Sequence, residues 1–341
     1  MTEAQIVGRW GWNAAAVQAL NPGLRRWRTD NALVAYGIGR TRPGGPRVWL
    51  AAGEPVGDPA RLGAIADGFT EAARDSGASA AWFGASDRFR REWSGTSLAI
   101  GAQPVWRPAD WPGILARKAS LRAQIHRARN KGVTVTEHES SRATSLEPVR
   151  QAWLARRGLP PLQFLVETEV LSSPGPRRFL VAWQEEEIVG YLVLAPIPAR
   201  RGVFVEWILQ SPAAPNGTAA LLLNAAFLAS TEADLLTLGM APLSTHAPLS
   251  DPAPPRHVRA LLAWMRAHAR RFYNFEGLER FKAKFEPHAW EPLYLLTPQR
   301  SVGFGLLHAV ADVFAGARTP TRLMSRALAT AAREEIRSLA R

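Results

Sequence analysis

The stretch FYNFEGLERFKAKFEPHAWEPLYL, residues 272–295, decides the fold that the sequence predicts. Phe281 and Phe285 stand four residues apart, with Lys282 and Lys284 between them. Residues four apart lie on one face of an α-helix, so the spacing predicts an amphipathic helix with its rings inward and its cations at one edge. The spacing by itself is typical of an ordinary amphipathic helix.

Strands and helices alternate on the N-terminal side of this stretch. Residues 31–52 predict a β-hairpin around the turn TRPGGP, and the helix 60–77 and the buried strands 80–83 and 97–102 follow. The later part predicts helices over 146–157, 218–230 and 257–272, and strands over 179–183, 188–195, 202–209 and 235–239. Because both parts share this α/β order, the sequence predicts two like-folded domains.

A basic segment lies between the two parts. Residues 114–132 predict one helix that ends at Gly132 and buries Leu121, Ile125 and Ala128. The segment from 117 to 131 contains no acid and six cations, namely Arg117, Lys118, Arg122, Arg127, Arg129 and Lys131. Such a surface suits the phosphate backbone of a nucleic acid, and a solvated helix face is the alternative.

The overall charge points in the same direction. The chain has 341 residues, 47% hydrophobic content, a formal net charge of +13 and a sequence pI of about 11.1. The length and apolar content favour two domains with sizeable cores. The charge favours a polyanionic partner, either nucleic acid or an anionic bilayer.

Composition also excludes several classes of chemistry. The chain contains no cysteine, which excludes disulfides, thiolate metal sites and a cysteine nucleophile. The seven histidines show no H-x-x-x-H or H-E-x-x-H spacing, so we expect no metal site. Neither a signal sequence nor an apolar run of membrane-spanning length is visible, so we expect a cytoplasmic protein without an integral segment.

The tail, residues 301–341, predicts an amphipathic helical extension. A final helix begins at Thr319 as N-cap with Pro320 at its first position. Its arginines recur at spacings of four or seven residues along one face, at Arg318, Arg322, Arg326, Arg333, Arg337 and Arg341. That face could lie on anionic lipid, or the helix could dock on the protein with the arginines in solvent.

The amino-acid sequence of residues 272–295 resembles that of a known protein family. The string YNF-x-GL-x-x-FK-x-KF-x-P, followed by WEP-x-YL, resembles the closing signature of the phosphatidylglycerol lysyltransferase C-terminal domain. Segments GEPVGDP (53–59), APNGT (214–218) and LGMAPLS (238–244) resemble the family in the same order, so the likeness covers roughly residues 30–300.

The resemblance implies a fold and a domain organisation. It implies an α/β (α+β) fold of two tandem GNAT-like domains joined by a basic helix. The first domain would span residues 1–113, the connecting helix 114–132 and the catalytic second domain 133–300, with the tail at 301–341.

The resemblance also implies an activity. Family members esterify a lipid hydroxyl, usually on phosphatidylglycerol, with the aminoacyl group of aminoacyl-tRNA, which is a co-substrate, so no cofactor is expected. An activated ester needs no covalent nucleophile, only binding of the tRNA end, a seat for the ammonium and help in deprotonating the hydroxyl. The partners are then aminoacyl-tRNA and an anionic membrane lipid, reached peripherally from the inner face through the basic surface and the tail.

Several residues match the family pattern. Glu206 is the acidic residue that the resemblance implies to be catalytic, either as a ligand of the ammonium or as a base. The six cations of 117–131 are candidate tRNA contacts because their charge suits the phosphate backbone. The implied substrate-binding residues are Asn216, Gly217, Ser244, Lys282 and Lys284. Each also has a structural alternative, such as the Asn-Gly turn before a helix or a serine cap.

Two positions depart from the family pattern. An arginine is expected three residues after Glu206, where this chain has Leu209, and an acid is expected near Ala220. These departures predict a different acceptor or a reduced activity.

Two other functions fit parts of the pattern. A GNAT acyltransferase with another donor would share the fold, although the R/Q-x-x-G-x-G/A loop typical of CoA enzymes is missing from the sequence. A non-catalytic tRNA-binding protein would explain the charge, but it leaves Glu206 without a role.

Overall fold

The computed structural model describes residues 1–156, 164–166, 170–173, 175–247, 255–268 and 275–316. Its strands are β1 (Arg25–Arg28), β2 (Leu33–Arg40), β3 (Arg47–Ala52), β4 (Ala78–Ser86), β5 (Thr96–Trp106), β6 (Val133–His138), β7 (Arg178–Gln184), β8 (Glu187–Ile197), β9 (Gly202–Gln210), β10 (Leu235–Thr237), β11 (Ala241–Pro242) and β12 (Ala289–Thr297). Its helices are α1 (Glu3–Trp10), α2 (Leu62–Asp75), α3 (Asp87–Glu92), α4 (Trp111–Arg117), α5 (Ala119–Asn130), α6 (Glu147–Ala155), α7 (Thr218–Leu228), α8 (Arg256–His268), α9 (Phe275–Ala283) and α10 (Phe304–Ala315).

The strands form one sheet in the order β1-β2-β3-β4-β12-β5-β10-β9-β8-β7-β6, with β11 added to β5. The pairs β3–β4 and β9–β10 are parallel, and the other pairs are antiparallel. The predicted hairpin is confirmed, because Ile38 of β2 pairs with Trp49 of β3. The predicted mixed α/β fold is therefore confirmed, while the division into two GNAT-like domains stays a prediction.

Strand β12 comes from the predicted second domain but pairs with strands of the predicted first domain. This strand follows the signature helix α9, yet it pairs with β4 on one side and β5 on the other. The C-terminal end of the predicted second domain therefore completes the sheet of the predicted first domain. The sheet itself continues from β5 into the later strands through β10.

The prediction of one basic helix over 114–132 is wrong in one respect, because this segment forms two helices, α4 and α5. Lys118 leaves the helical conformation at φ −102° and ψ 81°, which separates α4 from α5. Arg122 donates to the carbonyls of Leu115 and Ala116 at 2.5 Å, so its guanidinium satisfies the C-terminal end of α4. The buried side of α5 is confirmed, since Leu121, Ile125 and Ala128 are buried.

Helix α5 belongs to the core beneath the later strands. Leu121, Ile125 and Ala128 share one apolar cluster with α7 and with β7, β8 and β9. Trp111 stacks on Phe227 at 4.0 Å between ring centroids, and its Nε1 donates to Asn224. This packing fixes α5 and α7 against each other.

Helix α10 packs on β2 through two glycines. A Cβ on Gly37 would lie 2.5 Å from Val313, and one on Gly39 would lie 2.2 Å from the carbonyl of Ala309. The close approach lets Phe314 reach the cavity described below. The final arginine-rich helix of the predicted tail falls outside the described residues.

Candidate active site

A cavity of about 490 Å³ lies beside the parallel pair β9–β10. Its walls come from residues 204–210 of β9, residues 238–240 after β10, helix α9, and the N-terminal segment around residues 13–18. Cavities of this size hold small-molecule ligands in many proteins. The cavity therefore unites residues from both ends of the chain with the centre of the sheet.

Glu206 lies in the cavity wall within an ion pair. Its Oε2 accepts from Nε of Arg177 at 2.5 Å, and its Oε1 accepts from Nη2 of Arg177 at 3.2 Å and from Nε2 of Gln18 at 3.0 Å. The side chains of Glu206 and Arg177 are each 1% exposed. The predicted catalytic residue, Glu206, is thus a buried carboxylate that is fixed by hydrogen bonds from Arg177 and Gln18 and forms an ion pair with Arg177.

Sequence reasoning missed Arg177. This residue follows the turn SSPGP and precedes β7, and its Nη2 also donates to Oδ1 of Asn21 at 2.9 Å. Arg177 lies 29 residues before Glu206, and Gln18 lies 188 residues before Glu206, so no local spacing links the three residues. The only signal was an arginine directly beside a turn at the start of a buried strand.

The departures noted in the sequence fall at buried positions. Leu209 is 4% exposed and belongs both to the cavity wall and to an apolar cluster under β7 and β8. Ala220 is buried in α7, while its neighbour Ala219 lines the cavity. Position 209 therefore has no arginine side chain, and the guanidinium beside Glu206 comes from Arg177, directly before β7.

Lys282 lines the same cavity and is fully buried, so the prediction of a cation at a helix edge is wrong for this residue. Its Nζ donates to the carbonyls of Leu238 and Gly239 at 2.8 Å each and of Met240 at 2.9 Å. In its protonated form the amine has three N–H donors for these three acceptors, which ties α9 to the segment after β10. Lys282 thereby holds one wall of the cavity in place.

Burial lowers the pKa of Lys282 to about 7. The unfolded chain, with an ordinary lysine pKa of about 10.4, binds more protons than the folded chain between these two values. We therefore expect the free energy of unfolding to rise with pH from about 7 to about 10. Urea unfolding at several pH values would measure this slope, and Lys282→Met should lack it; an equal slope in both proteins would contradict the assignment.

Lys284, unlike Lys282, contacts helix α5 and is not part of the described cavity wall. Its Nζ donates to Oε1 of Gln124 on α5, and it lies 5.2 Å from the ring centroid of Phe285. Partial burial lowers its pKa. The structure therefore does not bring Lys284 together with Lys282 in the cavity.

Asn216 and Gly217 form the start of α7 and are not part of the described cavity wall. Asn216 is exposed, and Gly217 has φ +104°. A Cβ on Gly217 would lie 2.1 Å from the carbonyl oxygen of Gln124. This position needs glycine for both its backbone conformation and its close approach to α5.

Gly217→Ala is expected to destabilise the protein by about 2 kcal/mol or more, because strain at positive φ adds to a backbone clash. Gly132→Ala is the matched control, since Gly132 also has positive φ, at +78°, but an added Cβ meets nothing within 4 Å. The control should cost only about 1 kcal/mol. Urea unfolding of both variants would measure the difference, and equal losses would show that the close approach is unimportant.

Ser244 caps a turn near the cavity. Its Oγ accepts from the backbone N–H of His246 at 3.1 Å, and it is not among the described wall residues. The adjacent Thr245 donates to Oε1 of Glu279 at 2.7 Å, and Arg266 lies 3.3 Å from the same carboxylate. This network links the turn to α8 and α9.

The basic segment divides into paired and free cations. Arg117 and Lys118 each lie 2.9 Å from Glu286, and Arg122 caps α4. Three exposed side chains have no partner among the described residues, namely Arg127, Arg129 and Lys131. The free positive surface is thus smaller than the sequence predicts.

Two ion pairs near the cavity were not predicted. Glu54 pairs with Arg88 at 2.5 Å, and Glu291 pairs with Arg200 at 2.6 Å. Both guanidinium groups approach the ring of Trp12, at 4.1 Å for Arg88 and 5.4 Å for Arg200. The residue after Trp12 lines the cavity, so this cluster supports its N-terminal wall.

The structure gives no indication of a metal centre or a membrane span in its described part. No three of its histidine, aspartate and glutamate side chains come together as metal ligands there. Within the same residues, no helix has the length and apolar character needed to cross a bilayer.

The fold and the sequence both have known relatives. A crystal structure of the C-terminal domain of a candidate lysylphosphatidylglycerol synthetase from Agrobacterium fabrum has a TM-score of 0.70 and 25% identity, covering 92% of this chain and 97% of that one. The structure of L-PGS from Bacillus licheniformis has a TM-score of 0.71 and 20% identity, covering 87% and 91%. The chain thus has the mixed α/β fold of these solved domains.

The family model for the phosphatidylglycerol lysyltransferase C-terminal region matches residues 5–297. The bifunctional lysylphosphatidylglycerol biosynthesis protein LysX of Mycolicibacterium vanbaalenii is 26% identical over 262 residues, which cover 72% of this chain and 23% of that protein. This chain therefore belongs to the phosphatidylglycerol lysyltransferase C-terminal family. The predicted family is confirmed, and the chain spans less than a quarter of the length of the curated relatives it matches.

Proposed function

We propose that this chain transfers an aminoacyl group from aminoacyl-tRNA to the hydroxyl group of a phosphatidylglycerol-type lipid. The observation that carries the proposal is the cavity of about 490 Å³ in which Glu206 and Lys282 share the wall. Lys282 belongs to the family signature, and Glu206 is the one described carboxylate in the wall.

The reaction asks little of the protein beyond binding and proton transfer. The lipid hydroxyl oxygen forms a bond to the ester carbonyl carbon, the bond to the 3′-terminal ribose oxygen breaks, and the hydroxyl proton passes to that oxygen. Glu206, oriented by Arg177 and Gln18, would accept a hydrogen bond from the aminoacyl nitrogen or from the attacking hydroxyl. Lys282 would keep the 238–240 wall in position for this contact.

The assay for this function uses the purified chain, tRNA charged with labelled amino acids, and vesicles with or without phosphatidylglycerol. Label should enter the lipid fraction only with phosphatidylglycerol present, and treatment of the charged tRNA with RNase should abolish transfer. A lipid fraction that stays unlabelled with every charged tRNA would refute the proposal.

We further propose that the tRNA backbone contacts the free end of α5. Replacing Arg127, Arg129 and Lys131 by glutamine should weaken tRNA binding and reduce the salt slope of log K by about 2 to 3, because each lost phosphate contact contributes about 0.7 to 0.9. Filter binding at several salt concentrations would measure both the affinity for tRNA and the salt slope of log K. The matched control replaces Arg117 and Lys118, which already pair with Glu286, and its effect should be smaller; equal losses would argue against this site.

A CoA-dependent GNAT acyltransferase is the second candidate, and one contact disfavours it. Such enzymes bind pyrophosphate at the start of a helix that follows a strand, which corresponds here to the start of α7. The Gln124 carbonyl of α5 fills the space beside Gly217 at that helix start. Binding of CoA to the purified chain, measured by calorimetry, would favour this candidate over the first.

The same proposal places the protein at the cytoplasmic face of the membrane. Its acceptor is a lipid, while the free cations of α5 would attract anionic headgroups as well as tRNA. Flotation with vesicles of phosphatidylglycerol, compared with phosphatidylcholine, would test this association.

A further inference from the structure

Asn13 is a buried polar side chain in the cavity wall whose amide nitrogen has no hydrogen-bond partner. Six buried side-chain atoms of the described residues lack such a partner, and Nδ2 of Asn13 is the one among them whose residue lines the cavity. Asn13 as a whole is 6% exposed. A buried N–H donor without an acceptor destabilises a folded protein, and an acceptor supplied by a ligand would remove this cost.

The backbone around Asn13 is fixed by its neighbours. The carbonyl of Gly11 accepts from the N–H of Ala199 at 2.9 Å, and the carbonyl of Asn13 itself accepts from the N–H of Ala16 at 3.1 Å. Two guanidinium groups lie over the ring of Trp12, at 4.1 and 5.4 Å from its centroid. The unpaired amide is therefore attached to a rigid part of the wall, as a group that binds a ligand should be.

Gly53 leaves the space that the carboxamide of Asn13 occupies. Gly53 has φ +78°, and a Cβ at this position would lie 2.7 Å from Nδ2 and 3.2 Å from Oδ1 of Asn13. Nδ2 is buried in this orientation. The χ2 torsion of asparagine is broad, so a turn about χ2 can present the N–H group to the cavity while the backbone stays in place.

We infer that Asn13 is a substrate-binding residue whose side-chain amide donates a hydrogen bond to an oxygen atom of the ligand in the cavity. The inference rests on the proposed function for the identity of that ligand. Two oxygens have the required chemistry, namely the carbonyl oxygen of the aminoacyl ester and a hydroxyl oxygen of the lipid headgroup. Gln18 of the same segment donates to Glu206, so residues 13–18 contact both the carboxylate and the ligand.

Replacing Asn13 by leucine separates binding from stability. Leucine has a similar shape but no N–H group, so Asn13→Leu removes the unpaired donor and should raise the urea midpoint of unfolding. The same variant should lower kcat/KM for transfer to phosphatidylglycerol vesicles at least about tenfold, because the ligand oxygen loses its hydrogen bond. Transfer within about threefold of the unchanged protein would overturn the inference.

Asn224→Leu is the matched control. Asn224 is 5% exposed and is not part of the described cavity wall, and its Oδ1 accepts from Nε1 of Trp111 at 3.0 Å. This replacement leaves the Trp111 donor unpaired, so its urea midpoint should fall while transfer by the folded protein is retained. A fall in both midpoints would show that the Asn13 amide already has an acceptor within the protein, and the inference would then be wrong.

The kinetic parameters of Asn13→Leu identify the oxygen. A lower kcat, or a higher KM for the charged tRNA, indicates the ester carbonyl, whose oxygen gains negative charge in the tetrahedral intermediate. A higher KM for the lipid with an unchanged kcat indicates a headgroup hydroxyl. Either result supports Asn13 as a substrate-binding residue.

NMR titration tests the hydrogen bond without turnover. The side-chain NH₂ signals of Asn13 are those that disappear from the spectrum of Asn13→Leu. Two kinds of soluble probe would be added to the full chain: the headgroup glycerophosphoglycerol, and adenosines that carry an alanyl, leucyl or lysyl group through a stable 3′-amide. At least one probe should shift these signals downfield.

The titration also separates the inference from the proposed function. If no probe shifts the Asn13 signals, the inference is wrong, even where transfer to lipid is observed. If no charged tRNA supports transfer but a probe does shift the signals, the proposed function fails and Asn13 remains a ligand-binding residue.

Discussion

Replacing Glu206 by glutamine is expected to lower the rate of aminoacyl transfer by about 100-fold or more, the loss typical of a removed acid–base group. Glutamine keeps the shape of the side chain but removes its charge and turns one acceptor oxygen into an NH₂ donor. That donor would face Arg177 or Gln18, both of which already donate to Glu206. The group that orients the aminoacyl nitrogen or the hydroxyl is then lost.

The measurement is initial transfer of label from charged tRNA to phosphatidylglycerol vesicles, with circular dichroism to verify the fold. Glu137→Gln is the matched control, since Glu137 forms a glutamate–arginine pair with Arg178 at the surface and should keep its activity. Transfer by Glu206→Gln within threefold of the unchanged protein would remove Glu206 from the mechanism.

Replacing Lys282 by methionine is expected to destabilise the protein by about 3 kcal/mol and to abolish most transfer. Methionine fills a similar volume but leaves three buried carbonyls, those of residues 238–240, without their donor, and each such loss costs about 1 kcal/mol or more. The segment also forms a cavity wall, so its displacement should disturb substrate binding.

Lys284→Met serves as the control because it changes the same residue type two positions away. Lys284 is half-buried and donates to Gln124 outside the cavity, so its loss should cost less than about 1 kcal/mol. Urea unfolding and the transfer assay would measure both variants. Identical midpoints for the two variants would show that the three carbonyl contacts do not stabilise the fold.

Local patterns predicted most of the secondary structure. The predicted strand 202–209 lies within β9, and the predicted helix 218–230 corresponds to α7. Both predictions were possible because apolar runs bounded by Gly and Pro indicate buried elements from local sequence alone. The helix over 114–132 was wrong at Lys118. Its interruption depends on Arg122 bonding to the end of α4, and such a contact leaves no trace in the periodicity.

The candidate site was predicted only in part. The sequence pointed to Glu206 and Lys282 through the family signature, and the structure brings both to one cavity. Asn216 and Gly217 instead support the packing of α7 on α5. Arg177 was missed because its role depends on Glu206, which lies in β9, 29 residues further along the chain.

The sequence by itself determined the family, the α/β class and the positive charge, since each depends on residue types and on spacings within a single element. The tertiary structure alone decided that Glu206 is neutralised by Arg177 and that Lys282 is buried against residues 238–240. These partners lie 29 and more than 40 residues away along the chain. Charge compensation and burial are properties of the folded surroundings, so only the packing of distant strands and helices fixes them.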